Sequence, residues 1–154
     1  IRRLRTDGHV VGTHSHTHPL VFNALTPDQM LDEWRTSMDI LEQILGESCT
    51  SGSVPGGDIS KAALKSAGRA GLRYLFTSDP LLNPRLIDGC WILGRVAPKV
   101  GTSVTTVRDL AQFKGWRRAL AVRRAKVMAK TALRPAYRYY VRRFDSNQSD
   151  GDDT

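Results

Sequence analysis

The sequence GHVVGTHSHTHP, residues 8–19, contains all four histidines of this 154-residue chain. Residues 9–13 are short, β-branched and bounded by glycine, which predicts a strand that ends just before His14. His14 and His18 are four positions apart, so a tight loop at the strand end, or one helical turn, can bring both rings to one ion. Because imidazole is the commonest side-chain metal ligand, this spacing indicates a metal site.

Two features of the stretch stay open at the level of sequence. His16 shares the face of His14 and His18 on an extended backbone, whereas on a helical turn it points away. Two imidazoles suit zinc, cobalt, nickel and iron alike, so the spacing does not identify the metal. A histidine-rich surface turn that binds no metal is the alternative interpretation.

Strand and helix patterns alternate through the first 115 residues. Thr26 as N-cap, Pro27 at the first helical position and Gly46 at the end mark one helix clearly. Further helices are predicted at residues 60–70 and 105–113, further strands at residues 49–54, 73–77 and 91–96, and a loop at residues 80–88. This alternation predicts an α/β fold with a parallel sheet or barrel.

Three residues directly follow a predicted strand, namely His14, Pro55 and Asp79. In barrels of parallel strands the chemistry lies at the carboxyl ends of the strands. We therefore expect these residues to converge on one mouth of the fold.

Residues 8–12 and 14–19 resemble the second motif of the polysaccharide deacetylases, the NodB-homology or carbohydrate esterase family 4 domain. Residues 53–57, Ser-Val-Pro-Gly-Gly, stand where that family has Arg-x-Pro-x-Gly. Residues 70–80 resemble the strand that follows the next helix in those proteins. The resemblance extends over about residues 1–110.

The resemblance implies an incomplete distorted (β/α) barrel with parallel strands and a hydrolase that removes N-acetyl or O-acetyl groups from a polysaccharide or lipid-linked sugar. It implies that His14 and His18 bind a divalent metal, usually zinc, and that Ser15 supports the loop from the second coordination shell. A deacetylase-like module that has lost catalysis and binds a glycan or a membrane surface is the alternative.

The chain departs from the family pattern at several points. The first motif, Thr-Phe-Asp-Asp, is absent; in the family it supplies the carboxylate that completes the metal triad and the general base, so we expect a C-terminal fragment. Ser53 stands at or near the place of the motif-three arginine. No histidine follows His18, which leaves Arg95 as the conspicuous cation where the family has its late histidine. Asp79 resembles the carboxylate of the fourth motif, although a role in capping the turn before Pro80 is the alternative. Asp79 and Arg95 are thus the catalytic candidates.

The net charge of +8 is concentrated near the C-terminus. Between Trp116 and Phe144 there are ten lysines or arginines and no acid. We predict a barrel part over residues 1–115, a basic helical extension over residues 116–144 and a disordered polar tail over residues 145–154. The cations from Arg117 to Arg143 suit an anionic membrane surface or a solvated helix face, and nucleic acid is disfavoured because no reading motif accompanies them.

The remaining composition sets few limits on the compartment. No apolar stretch is long enough for a transmembrane helix, and the basic residues 1–5 lack the apolar region of a signal peptide. Cys49 and Cys90 do not form a Cys-x-x-Cys pair and are interpreted as buried thiols. We expect a cytoplasmic or membrane-associated protein and an N-acetylated glycan as its substrate.

Overall fold

A computed structural model of the chain describes residues 1–57, 59–126 and 128. Its helices include α1 (Arg2–Thr6), α2 (Pro27–Leu45), α3 (Lys61–Ala70) and α4 (Val104–Ala111). Its strands are β1 (Ser51–Ser53), β2 (Tyr74–Phe76), β3 (Arg85–Ile87) and β4 (Cys90–Leu93). Short 3₁₀ turns lie at Phe22–Ala24 and Pro55–Gly57. The chain divides into two compact units, Ile1–Arg117 and Arg118–Thr154.

Helix α2 has the boundaries that its capping residues predict. The Thr26 side chain accepts a hydrogen bond from the Gln29 backbone N–H, and the Gln29 side chain accepts one from the Thr26 N–H. This reciprocal capping box satisfies two backbone donors at the helix start. Gly46 ends the helix in a left-handed conformation, which costs glycine no steric penalty.

The core lies where α2 and α3 pack on the sheet. Trp34 and Phe22 are fully buried, and their ring centroids are 5.0 Å apart. The Trp34 indole N–H donates to Ser66 Oγ at 3.0 Å, and that hydroxyl donates to the Ala63 carbonyl at 2.9 Å. The polar end of the buried indole is therefore satisfied, and α2 is fixed against α3.

The strands of the described residues form one mixed sheet in the order β1-β2-β4-β3. Strand β1 pairs with β2 in parallel, and β2 pairs with β4 in parallel. The predicted α/β class with parallel strands is confirmed for these three strands. The predicted strand at residues 9–13 is wrong, because only Thr13 pairs, in an isolated parallel bridge to Gly52.

The loop predicted at residues 80–88 instead contains β3, which pairs antiparallel with β4. Asp88 and Gly89 connect the two strands and have φ angles of +45° and +79°. A two-residue hairpin turn of type I′ requires positive φ at both positions, and Asp-Gly is one of the sequences that favour it. The local turn chemistry therefore explains an antiparallel strand that the parallel pattern did not predict.

Most of the predicted basic extension and all of the predicted tail lie outside the described residues. In the second unit, residues 118–126 are helical. Lys130, Arg134, Arg138, Arg142 and Arg143, with residues 145–154, fall on the part that is not described. Among the helices that the structure describes, none has the length and apolar character needed to span a bilayer. The predicted domain boundaries and the predicted membrane contact stay predictions.

Candidate metal centre

His14 is anchored to the sheet at the point where β1 ends. Its Nδ1 lies 2.9 Å from the Ser53 carbonyl oxygen and 2.7 Å from Ser53 Oγ. A carbonyl oxygen can only accept, so a hydrogen bond from Nδ1 to the Ser53 carbonyl requires the tautomer with Nδ1 protonated, whose lone pair is on Nε2. This arrangement, in which the second ring nitrogen donates to a backbone carbonyl, is usual for histidines that bind metals.

A tight turn carries the chain from His14 to His18. The Ser15 backbone N–H donates to Thr13 Oγ1 at 3.2 Å, and Ser15 Oγ accepts from the His18 backbone N–H at 3.2 Å. Ser15 and His18 have φ angles of +71° and +52°, in the left-handed region. The two rings come together with their centroids 5.0 Å apart and their planes inclined by 52°.

Glu33 of α2 holds this turn from the other side. Its Oε2 accepts hydrogen bonds from the backbone N–H groups of His16 at 2.9 Å and Thr17 at 2.8 Å, and its Oε1 accepts from Thr17 Oγ1 at 2.6 Å. Partial burial raises the pKa of the Glu33 carboxyl, but the hydrogen bonds from Thr17, His16 and Ser15 outweigh it, and the pKa lies below its ordinary value. Glu33 was not identified from the sequence.

His16 lies beside α2. Its side chain is exposed, and it lines a small cavity of about 250 Å³ together with Asp32 and Glu33 of α2. The sequence left two backbones open for the stretch around His16, an extended one and a helical turn. The structure shows neither, because Ser15 and His18 on either side of it have left-handed φ angles.

The carboxyl ends of the parallel strands meet at one edge of the sheet, as expected from the topology. His14 follows the Thr13 bridge, Pro55 follows β1, Asp79 follows β2 and Arg95 follows β4. His14 and Ser53 share a cavity of about 760 Å³ with Arg95 and with Phe76 at the end of β2. Of the two catalytic candidates, the structure thus brings Arg95 into the same cavity as His14.

Asp79 is not among the residues that line this cavity. Its backbone carbonyl accepts from the N–H of Leu81 at 2.8 Å, from the N–H of Arg95 at 3.1 Å and from Thr77 Oγ1 at 3.2 Å. These contacts place Asp79 in a turn that joins the ends of β2 and β4.

His14 and His18 are the neighbouring pair of possible metal ligands at this turn, with ring centroids 5.0 Å apart. No cluster of three or more His, Cys, Asp or Glu residues that could hold a metal occurs among residues 1–57, 59–126 and 128. Cys49 and Cys90 are buried free cysteines; burial raises the pKa of Cys49 and raises that of Cys90 to about 11. Metals bind the thiolate, so these protonated cysteines do not extend the ligand set.

Comparisons with known proteins identify the fold and a family that residues 1–75 match. The fold resembles that of PplD, a deacetylase from Streptococcus pyogenes solved in complex with acetate, at 20% identity over 62% of this chain and 42% of that one, with a TM-score of 0.52. It also resembles a de-N-acetylase from Aggregatibacter actinomycetemcomitans, at 16% identity over 70% of this chain and 50% of that one, with a TM-score of 0.57.

This chain therefore spans half or less of the length of those two structures, and at these identities the likeness shows the fold alone. A search among curated proteins found no match. Residues 1–75, which include the histidine turn, Ser53 and Glu33, match the polysaccharide deacetylase family. This match to the polysaccharide deacetylase family covers 75 of the 154 residues, just under half of the chain.

Proposed function

We propose that this chain forms part of a metal-dependent hydrolase that removes N-acetyl groups, or O-acetyl groups, from a polysaccharide or lipid-linked sugar. The observation that carries the proposal is the pair of neighbouring imidazoles: His14 Nδ1 lies 2.9 Å from the Ser53 carbonyl oxygen, and the His18 ring centroid lies 5.0 Å from that of His14. The family match of residues 1–75 supports the same reaction class.

In this proposal His14 and His18 hold a divalent ion, with zinc as the metal that the family resemblance implies. When bound there, a zinc ion would supply Lewis-acid chemistry, that is, polarisation of a carbonyl and a lowered pKa of water, to about 7. Ser53 fixes the tautomer and orientation of His14, and Ser15 fixes the backbone of His18. The third ligand that the resemblance implies is an aspartate from a motif that this sequence does not contain.

Arg95 is our candidate for stabilising the negative charge that develops on the substrate oxygen. It shares a cavity with His14, and a fixed cation aimed at the developing oxyanion lowers the barrier to acyl transfer. Asp79 is the less favoured candidate because it lies outside the residues that line this cavity.

The proposal is tested by measuring acetate release from N-acetylglucosamine oligomers by the full-length protein. We expect release that stops on treatment with a chelator and returns on addition of zinc. His14→Ala is expected to abolish it, whereas His9→Ala, which removes an exposed histidine of the same stretch, leaves it unchanged. Release that survives both the chelator and His14→Ala would contradict the proposed reaction.

A further inference from the structure

We propose that Glu33 is a positioning residue of the His14 and His18 metal centre, acting through the turn that joins the two histidines. The inference rests on the proposed function, because it concerns how the same two rings are held for one ion. Glu33 is hydrogen-bonded to residues 15–17, and the role proposed for it is to support the turn and not to bind the ion.

The contacts of Glu33 fix the middle of the turn. Both carboxylate oxygens are engaged, one by two consecutive backbone N–H groups and the other by the Thr17 hydroxyl. The carboxylate thus defines where residues 16 and 17 lie, directly before His18.

The turn needs such external support because of its backbone conformation. Ser15 and His18 both have positive φ, which non-glycine residues rarely adopt and which persists only where surrounding contacts impose it. The Ser15 hydroxyl supplies one contact inside the turn, to the His18 N–H. Glu33 supplies contacts from outside the turn, on α2.

Glu33 is itself held firmly. The next residue, Trp34, is fully buried and bonded to Ser66, so the backbone of α2 at this point is fixed to the core. His14 is tied to β1 through Ser53, while the residues before His18 are tied to α2 through Glu33. The separation of the two rings therefore depends on two elements of the core, and Glu33 makes the second connection.

The test measures the affinity of the full-length protein for Zn²⁺ by competition with a chromophoric chelator. We expect Glu33→Ala to weaken binding by about 10- to 100-fold, the range typical of residues that support metal ligands. Glu33→Gln keeps the shape and an acceptor oxygen but removes the charge, so its affinity should stay close to that of the unmodified protein. Asp39→Asn, at an exposed acid of the same helix, is the charge control and should have no effect.

Two further readouts separate positioning from general stability. The visible absorption spectrum of bound Co²⁺ should change in Glu33→Ala, because the rings meet the ion in a different geometry, and not in Glu33→Gln. Should Glu33→Ala fail to fold, Thr17→Val decides instead. Thr17 is exposed, and removing its hydroxyl should weaken Zn²⁺ binding several-fold through loss of the contact with Glu33.

The outcomes distinguish the two proposals. Equal losses of Zn²⁺ affinity in Glu33→Ala and Glu33→Gln would assign the effect to charge and overturn the positioning role. Unchanged affinity in Glu33→Ala would also overturn it. Where Glu33→Ala does not fold, unchanged affinity in Thr17→Val would do the same. If the unmodified protein binds Zn²⁺ and His14→Ala abolishes binding, the metal centre stands even when the inference about Glu33 fails. If the unmodified protein binds no Zn²⁺, the proposed function fails first.

Discussion

Replacing Ser53 with alanine separates the two contacts that orient the His14 ring. The substitution removes Oγ, which lies 2.7 Å from His14 Nδ1, and keeps the backbone carbonyl at 2.9 Å. A hydrogen bond of this kind contributes about 0.5–1.5 kcal/mol net. If that contribution orients the ring for the ion, Zn²⁺ binding should weaken by about 2- to 12-fold. The loss stays moderate because the remaining carbonyl still selects the tautomer with its lone pair on Nε2.

The assay is a competition titration with Zn²⁺ at pH 7, compared with thermal unfolding of the metal-free protein. Ser48→Ala is the matched control, because Ser48 lines the same cavity but bonds to Glu42 instead of a histidine. Affinity equal to that of the unmodified protein would show that the Ser53 hydroxyl does not orient His14. A loss greater than about 100-fold, beyond the range for a supporting residue, would show that the carbonyl contact alone does not hold the ring.

Two predictions concern the packing that supports the site. Gly68→Ala should destabilise the protein by about 2 kcal/mol, because a Cβ at Gly68 would lie 2.4 Å from the Asp88 carbonyl oxygen. The cost of this overpacking, about 3 kcal/mol, exceeds the gain in helix propensity, about 1 kcal/mol. An unchanged midpoint of urea unfolding would contradict this close contact. Cys90, whose pKa is raised to about 11 by burial, should react with iodoacetamide at pH 8 at least about 100-fold more slowly in the folded than in the unfolded protein. The free energy of unfolding should also fall as the pH rises from about 9 towards 11, since the unfolded thiol ionises first; alkylation at equal rates would contradict the burial.

The helices could be predicted from sequence because their ends are marked by local chemistry. Thr26, Pro27 and Gly46 act within a few residues of their own position, and α2 begins and ends where they predict. Helix α3 likewise begins after Ser60, whose side chain accepts from the Ala63 N–H, and ends before Gly71 in a left-handed conformation. Capping of this kind needs no information about the rest of the fold.

The strands were less predictable because a strand requires a partner as well as a pattern. Residues 9–13 have a suitable composition, yet only Thr13 finds a partner, Gly52. Strand β3 has a partner in β4 but little apolar alternation, so its sequence resembled a loop. The Asp88-Gly89 pair was the available signal for that hairpin, and its two positive φ angles confirm its role.

The candidate site was likewise predictable from the sequence only in part. The spacing of His14 and His18 identified two rings that the structure brings to a centroid distance of 5.0 Å. Glu33 and Ser53 contact the histidine turn across 16 to 39 positions of sequence. No local pattern encodes contacts over such distances. Ser53 was noted only as the replacement of an arginine, whereas the structure shows it bonded to His14.

The metal content of the full-length protein tests the central claim most directly. After dialysis against metal-free buffer, zinc is measured in the unmodified protein and in His14→Ala, His18→Ala and His9→Ala. We expect about one zinc ion per chain in the unmodified protein and in His9→Ala, and loss of zinc in both other variants. Zinc retained unchanged in both His14→Ala and His18→Ala would contradict the assignment of these two rings as ligands.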